Sequence, residues 1–125
     1  MQLFVLFAMI FCHIVDDYYL QKQGVLASMK QRQWWKENAP NKMYERDYIV
    51  ALIAHAFSWS FMISIPLLFV SKNYLTICSL IILNTTLHAY VDNLKANKHS
   101  INLIQDQVCH LAQILGSWWF YICAF

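Results

Sequence analysis

The sequence predicts an all-α fold: a four-helix transmembrane bundle, with an interfacial helix in its first connection. Three observations predict it. Hydrophobic residues make up 59% of the 125 residues and charged residues 13%, far from the balance of a water-soluble domain. Two glycines and two prolines leave little material for a turn-rich β fold. Apolar runs at about 3–20, 48–70, 74–91 and 103–125 approach the ~20 residues that a helix needs to cross a bilayer. The chain is one integral membrane domain, 1–125.

Leu3 to Leu20 is the first run, and its helix has room to continue towards Lys30. A cleaved leader is the rival reading. However, the first positive charge, Lys22, follows the run, Asp16 and Asp17 interrupt its end, and no small-x-small site comes after it. It is read as a retained span. Gln21 to Asp47 is polar, with Pro40-Asn41 marking a break. Within it, Gly24 to Trp35 predicts an interfacial helix that sets Trp34 and Trp35 at headgroup level. Tyr48 to Val70 is the second span, and Pro66 is placed to bend or fray its last turn. Ser71-Lys72-Asn73 is a tight connection, which makes the second and third helices antiparallel neighbours. Tyr74 to about Val91 is the third span and Asn93 to Asn102 a short polar link. Leu103 to Phe125 is the fourth span, ending in Trp118, Trp119, Phe120 and Tyr121, an aromatic cluster of the kind that marks a membrane boundary.

The four cysteines, Cys12, Cys78, Cys109 and Cys123, all lie in apolar stretches with no Cys-x-x-Cys spacing. They read as small hydrophobes, not as a disulfide framework or zinc ribbon. Eight of the nine Lys and Arg fall in the first and third connections; the other side of the membrane has only Lys72. That bias predicts a multi-pass protein of the inner (cytoplasmic) membrane with both termini outside the cytoplasm. It is not a nucleic-acid footprint. Lys22, Lys36 and Lys42 read as headgroup contacts, and His99 as exposed in a polar link.

This topology places the polar residues at one depth. His13 lies seven residues before Leu20, His55 seven after Tyr48, His88 six before Leu94 and His110 seven after Leu103. At about 1.5 Å per residue, all four imidazoles fall roughly 10 Å inside the cytoplasmic boundary. Asp17, Asp92 and Asp106 lie one turn nearer water, and the outer halves of the spans carry no ionisable Asp, Glu, His, Lys or Arg. Ionisable groups in a membrane are costly and mark functional sites. His13/Asp17, His88/Asp92 and Asp106/His110 are i,i+4 pairs, each on one helical face. His55 has no acid on its own helix and must pair across helices. The plain alternative is that these pairs are interhelical clasps. His13-Ile-Val-Asp-Asp17 also resembles His88-Ala-Tyr-Val-Asp92, a faint internal repeat suggesting two parallel helix pairs.

Imidazole and carboxylate donors suit a divalent Zn, Mn or Fe ion. The expected metal ligands are His13, Asp17, His88, Asp92 and His110. Asp106 is expected as ligand or orienter, and His55 as ligand or general acid/base. Gln21, Gln107 and Gln113 can hold ligands or substrate from behind. Lys95, seven residues after His88, and Lys30 are expected to neutralise a substrate phosphate, against a solvated-face reading for Lys95. The function these residues suggest is a metal-dependent hydrolase at the cytoplasmic membrane face, with the bilayer as partner and a lipid-linked or phosphoester substrate. The rival readings are a proton or metal-ion carrier, including one built as a homo-oligomer, and a non-enzymatic membrane interaction protein.

The pattern through His13, Asp17, Leu20-Gln21, Lys30, His55, His88, Asp92, Lys95, Asp106-Gln107 and His110 resembles a family of short bacterial and phage membrane proteins classed as a domain of unknown function. The resemblance covers most of the chain. It implies a small polytopic membrane protein, often phage-encoded, and no established activity. Asp16 beside Asp17 leaves open which of the two is the direct ligand.

Overall fold

The computed structural model describes residues 1–21 and 26–124, and every regular element among them is a helix. α1 (Gln2–Ile14) runs without a break into a π-helical turn, Val15–Leu20. Two short helices follow, α2 (Leu26–Met29) and α3 (Arg32–Asn38), then a 3₁₀ turn at Lys42–Tyr44. Three long helices complete the chain: α4 (Asp47–Val70), α5 (Tyr74–Ala96) and α6 (Leu103–Ala124).

Local chemistry explains the boundaries. α4 carries Pro66 without breaking and ends at Ser71, whose amide donates to the Leu67 carbonyl at 2.9 Å. The Asn73 side chain then caps α5 by accepting from the Thr76 amide at 3.2 Å. α5 runs past the expected Val91 to Ala96. His99, the one described residue other than glycine with positive φ (53°), lets the chain reverse after it. α6 opens on a reciprocal cap: Asn102 Oδ1 accepts from the Gln105 amide at 2.9 Å, and Gln105 Oε1 accepts from the Asn102 amide at 3.0 Å.

α4 packs most extensively on α5 and then on α1, while α6 closes the ring against α1 and α5. Neighbours are antiparallel. Trp118, near the end of α6, donates to the Gln2 carbonyl at the start of α1 at 2.9 Å. At the opposite end of the same pair, His13 meets Gln107. Val5, Met9, Ile63, Leu67, Ile77 and Ile114 fill the half of the core away from the polar connections.

Among the described residues, three helical stretches are long and apolar enough to cross a membrane: Gln2–Leu20, Lys42–Val70 and Tyr74–Ala96. α6 has the length, but Gln105, Asp106, Gln107, His110 and Gln113 dilute its apolarity. Its burial is inverted relative to a helix in water. Asp106, His110 and Ser117 are buried, whereas Ile104, Val108, Leu111, Leu115 and Trp119 are exposed.

The first connection differs from the expected single interfacial helix. From Leu26 onward it is two short helices joined at Lys30-Gln31, and the expected start at Gly24, with Lys22, lies outside the described residues. Asn97, just beyond α5, fixes this segment: its Nδ2 donates to the Lys30 carbonyl at 3.1 Å and its Oδ1 accepts from the Arg32 amide at 2.7 Å. Trp35 Nε1 donates to the Met29 carbonyl at 2.6 Å. These bonds hold Lys30 over the polar end of the helix ring.

Candidate metal centre

Each long helix brings one imidazole to a common layer: His13 from α1, His55 from α4, His88 from α5 and His110 from α6, all buried. The His88 and His110 rings stack at 4.2 Å, His55 and His88 lie 5.2 Å apart and His13 and His110 5.9 Å, centroid to centroid. His99 stays exposed in its link.

Asp92 is the hub. His55 Nε2 lies 2.8 Å from its Oδ2, while His110 Nε2 and His88 Nε2 lie 3.3 and 3.7 Å from its Oδ1. His55 Nε2 and His88 Nε2 face each other at 3.3 Å. Lys30 Nζ donates to Asp92 Oδ2 at 2.6 Å and sits 3.2 Å from His55 Nε2. Thus His55 finds its acid across the α4/α5 interface. The i,i+4 pairs are all longer than this interhelical contact: 3.5 Å for His13/Asp17, 3.6 Å for Asp106/His110 and 3.7 Å for His88/Asp92.

The π-helical turn separates the two adjacent acids of α1. Asp16 turns towards α4, where it accepts from Ser58 Oγ at 2.8 Å and from Gln21 Nε2 at 3.2 Å. Asp17 turns towards the imidazoles, its Oδ2 3.5 Å from His13 Nδ1 and 3.8 Å from His110 Nδ1. Asp17 is therefore the acid that faces the histidines. π-Turns inserted in α-helices recur at functional sites for this reason: they re-aim side chains.

His13 is held differently from the other three. Trp59 Nε1 donates to its Nδ1 at 2.7 Å, and its Nε2 lies 3.2 Å from Gln107 Oε1. With Nδ1 accepting, that pattern assigns the ring proton to Nε2, which donates to Gln107. Both ring nitrogens are then engaged. Trp59 itself is wholly buried and stacks on His88 at 4.2 Å. Sequence reasoning passed over it, although it lies four residues after His55 on the same face of α4.

Lys95 reaches from α5 to α6 and donates to Asp106 Oδ2 at 2.8 Å, where Gln107 Nε2 also donates at 3.3 Å. One layer deeper, Asn84 Nδ2 donates to Ser117 Oγ at 2.8 Å, and Gln113 Nε2 donates to the Asn84 carbonyl at 3.2 Å. Gln113 thus serves this inner network and not the imidazole layer.

Three overlapping groups place one donor atom from each member within 4.8 Å of one another: His13/Asp17/His110, Asp17/His55/His88 and His88/Asp92/His110. These buried clusters can hold a metal ion. Donors about 2.0–2.1 Å from a tetrahedral metal are themselves about 3.4 Å apart, close to the separations around Asp92. His13 can join only by giving up a hydrogen bond to Trp59 or Gln107. Among the described residues, four of the six buried polar atoms that make no hydrogen bond belong to this layer: His55 Nδ1, His88 Nδ1, His110 Nε2 and Asp106 Oδ1, the His110 contact to Asp92 being ionic in geometry only.

Acids outnumber cations among the described residues of this layer: Asp17, Asp92 and Asp106 face the ammonium groups of Lys30 and Lys95. An unpaired carboxylate in a low-dielectric interior is expensive. A cation bound among the imidazoles, or a proton on one of them, offsets it. A narrow cavity of about 110 Å³ reaches this cluster, lined by Asp17, Tyr18, Lys30, His55, Asp106 and His110 among others.

No protein-family model, curated protein or solved structure matches the chain.

Proposed function

We propose that the chain is a four-span membrane protein whose buried His/Asp centre binds one divalent transition metal and hydrolyses a phosphoester or lipid-linked substrate at the cytoplasmic face of the inner membrane. The observation that carries the metal reading is the convergence of His55, His88 and His110 Nε2 on the Asp92 carboxylate.

The best-placed ligands are His55, His88, His110 and Asp92, with Asp17 on the far side of the His110 ring. His13, tied to Trp59 and Gln107, positions the cluster. Such an ion activates bound water and polarises an ester or phosphoester oxygen. Asp106 then orients His110, and Lys95 holds Asp106.

The inverted burial of α6 supports a fourth span. A helix that hides its acid and imidazole and exposes Ile104, Val108 and Leu111 suits hydrocarbon as its surroundings. The antiparallel ring puts both polar connections at one end, and their excess of Lys and Arg favours the cytoplasm for that end. The apolar layer of Val5, Met9, Ile63, Leu67, Ile77 and Ile114 argues against a carrier, because a through-path needs polar groups on both sides.

The test is a screen of lipid-linked phosphoesters with purified protein, with and without added Zn²⁺, Mn²⁺ or Fe²⁺. Metal-dependent release of phosphate or headgroup, abolished in His88→Ala and His110→Ala, supports the reading. Metal binding without turnover on any such substrate would leave a metal-stabilised membrane protein and remove the hydrolase.

A further inference from the structure

Lys30 stands where a metal's charge is needed. Its ammonium contacts both Asp92 Oδ2 and His55 Nε2, two of the donors proposed above as metal ligands. A divalent ion and an ammonium cannot both lie within bonding distance of that carboxylate oxygen without strong repulsion. The Lys30 backbone is fixed by Asn97, but its long stem can swing. There is space for it to do so. Beside the narrow cavity lies a second one, of about 270 Å³, lined by Lys30, Gln31, Asp92, Lys95, Ala96 and His99. Its lining contains two ammonium groups, an imidazole and an amide, and among the described residues Asp92 is its only acid.

We infer that Lys30 is the resident counter-ion of Asp92, displaced when a divalent metal takes that carboxylate, and that its ammonium then joins Lys95 in the second cavity to bind a phosphate group. The inference rests on the metal reading of the centre. It makes metal and phosphate binding cooperative: metal neutralises Asp92, the acid that lines the cavity, and releases the cation committed to it, while Lys95 keeps its bond to Asp106 and turns its remaining N–H donors to the phosphate. The cavity is small for a drug-sized ligand and suits a single phosphate, whether free or the headgroup of a lipid.

The experiment uses the full chain in detergent, stripped with chelator and titrated with Co²⁺ followed by its visible absorption. Lys30→Met is expected to bind Co²⁺ about tenfold more tightly than wild type, since no ammonium must leave. Inorganic phosphate is expected to tighten Co²⁺ binding by wild type and not by Lys30→Met. That wild-type measurement stands even if the variant fails to fold. In vesicles, a larger tightening by phosphatidic acid than by inorganic phosphate identifies a lipid headgroup as the source; equal tightening identifies free phosphate. Unchanged or weaker Co²⁺ binding by folded Lys30→Met, or phosphate binding that ignores the metal, overturns the inference and leaves the metal centre standing. Absence of Co²⁺ uptake by both proteins overturns the metal centre and this inference together.

Discussion

Asp92 and Lys30 are the pair on which the polar end of the protein turns, and a double-mutant cycle measures what they are worth. Asp92 is 2% exposed and Lys30 15%, with Nζ and Oδ2 2.6 Å apart. Two unit charges at 4 Å interact by about 4 kcal/mol at an effective dielectric of 20, and this contact is closer and drier than that reference. Part of the attraction is offset by the desolvation both groups undergo. Removing one partner strands the other, which costs about 3–5 kcal/mol. Asp92→Asn and Lys30→Met are therefore each expected to destabilise chelator-treated protein by about 3 kcal/mol, and the double variant by much less than their sum, giving a coupling of about 2–4 kcal/mol. Denaturant unfolding in detergent, followed by the loss of helical far-UV circular dichroism, is the assay. A coupling under about 0.5 kcal/mol would refute the reasoning, because independent sites add to within that margin. Repeating the cycle in metal-loaded protein should shrink the coupling, since the metal then replaces Lys30 as the partner of Asp92.

Further expectations follow from the same geometry. Trp59→Phe keeps a ring against His88 but loses the bond to His13 Nδ1, and should cost about 1–3 kcal/mol in the same unfolding assay; no change would mean that bond does not form. Ile63→Ala, in the apolar half, should cost about 2–5 kcal/mol while leaving metal content intact; loss of metal would join two regions that the structure separates. His99→Ala should leave metal content intact, because its ring is exposed, and loss of metal would place it in the centre. With the native cysteines replaced by serine, Lys72→Cys should react with an impermeant maleimide in intact cells and Lys42→Cys only after lysis. The reverse pattern would invert the proposed topology.

The parts of the site visible in the sequence were those governed by one helix at a time. An i,i+4 spacing puts His88 beside Asp92 and Asp106 beside His110 whatever the helix packs against. Apolar run lengths place α1, α4 and α5, and their antiparallel order brings the imidazoles to one layer. What escaped depends on rotation about the helix axis and on the path of the connections. α4 and α5 are apolar nearly all round, with little amphipathic signal to say which face turns inward. Hence Trp59 was not distinguished from the exposed aromatics Phe57 and Phe61, although it is the aromatic that touches His13 and His88. Asp16 and Asp17 could not be separated because a π-helical turn, invisible to a 3.6-residue pattern, aims them apart. Lys30 was noticed only as a phosphate contact. Its bond to Asp92 depends on how Asn97 holds the connection between α2 and α3, a long-range bond that no local spacing records. In α6, mean hydropathy falls because the helix carries a polar face, and that face is the one that is buried.

The central claim, that three imidazoles and Asp92 hold a divalent metal, is tested most directly by elemental analysis of the protein after gentle detergent extraction. The account predicts about one transition-metal ion per chain in wild type, retained in His99→Ala and lost in His88→Ala and His110→Ala. Folded wild-type protein that carries no such ion, and takes up none when Zn²⁺, Mn²⁺ or Fe²⁺ is supplied, would contradict it and leave Lys30, Lys95 and protonated imidazoles to balance the buried carboxylates.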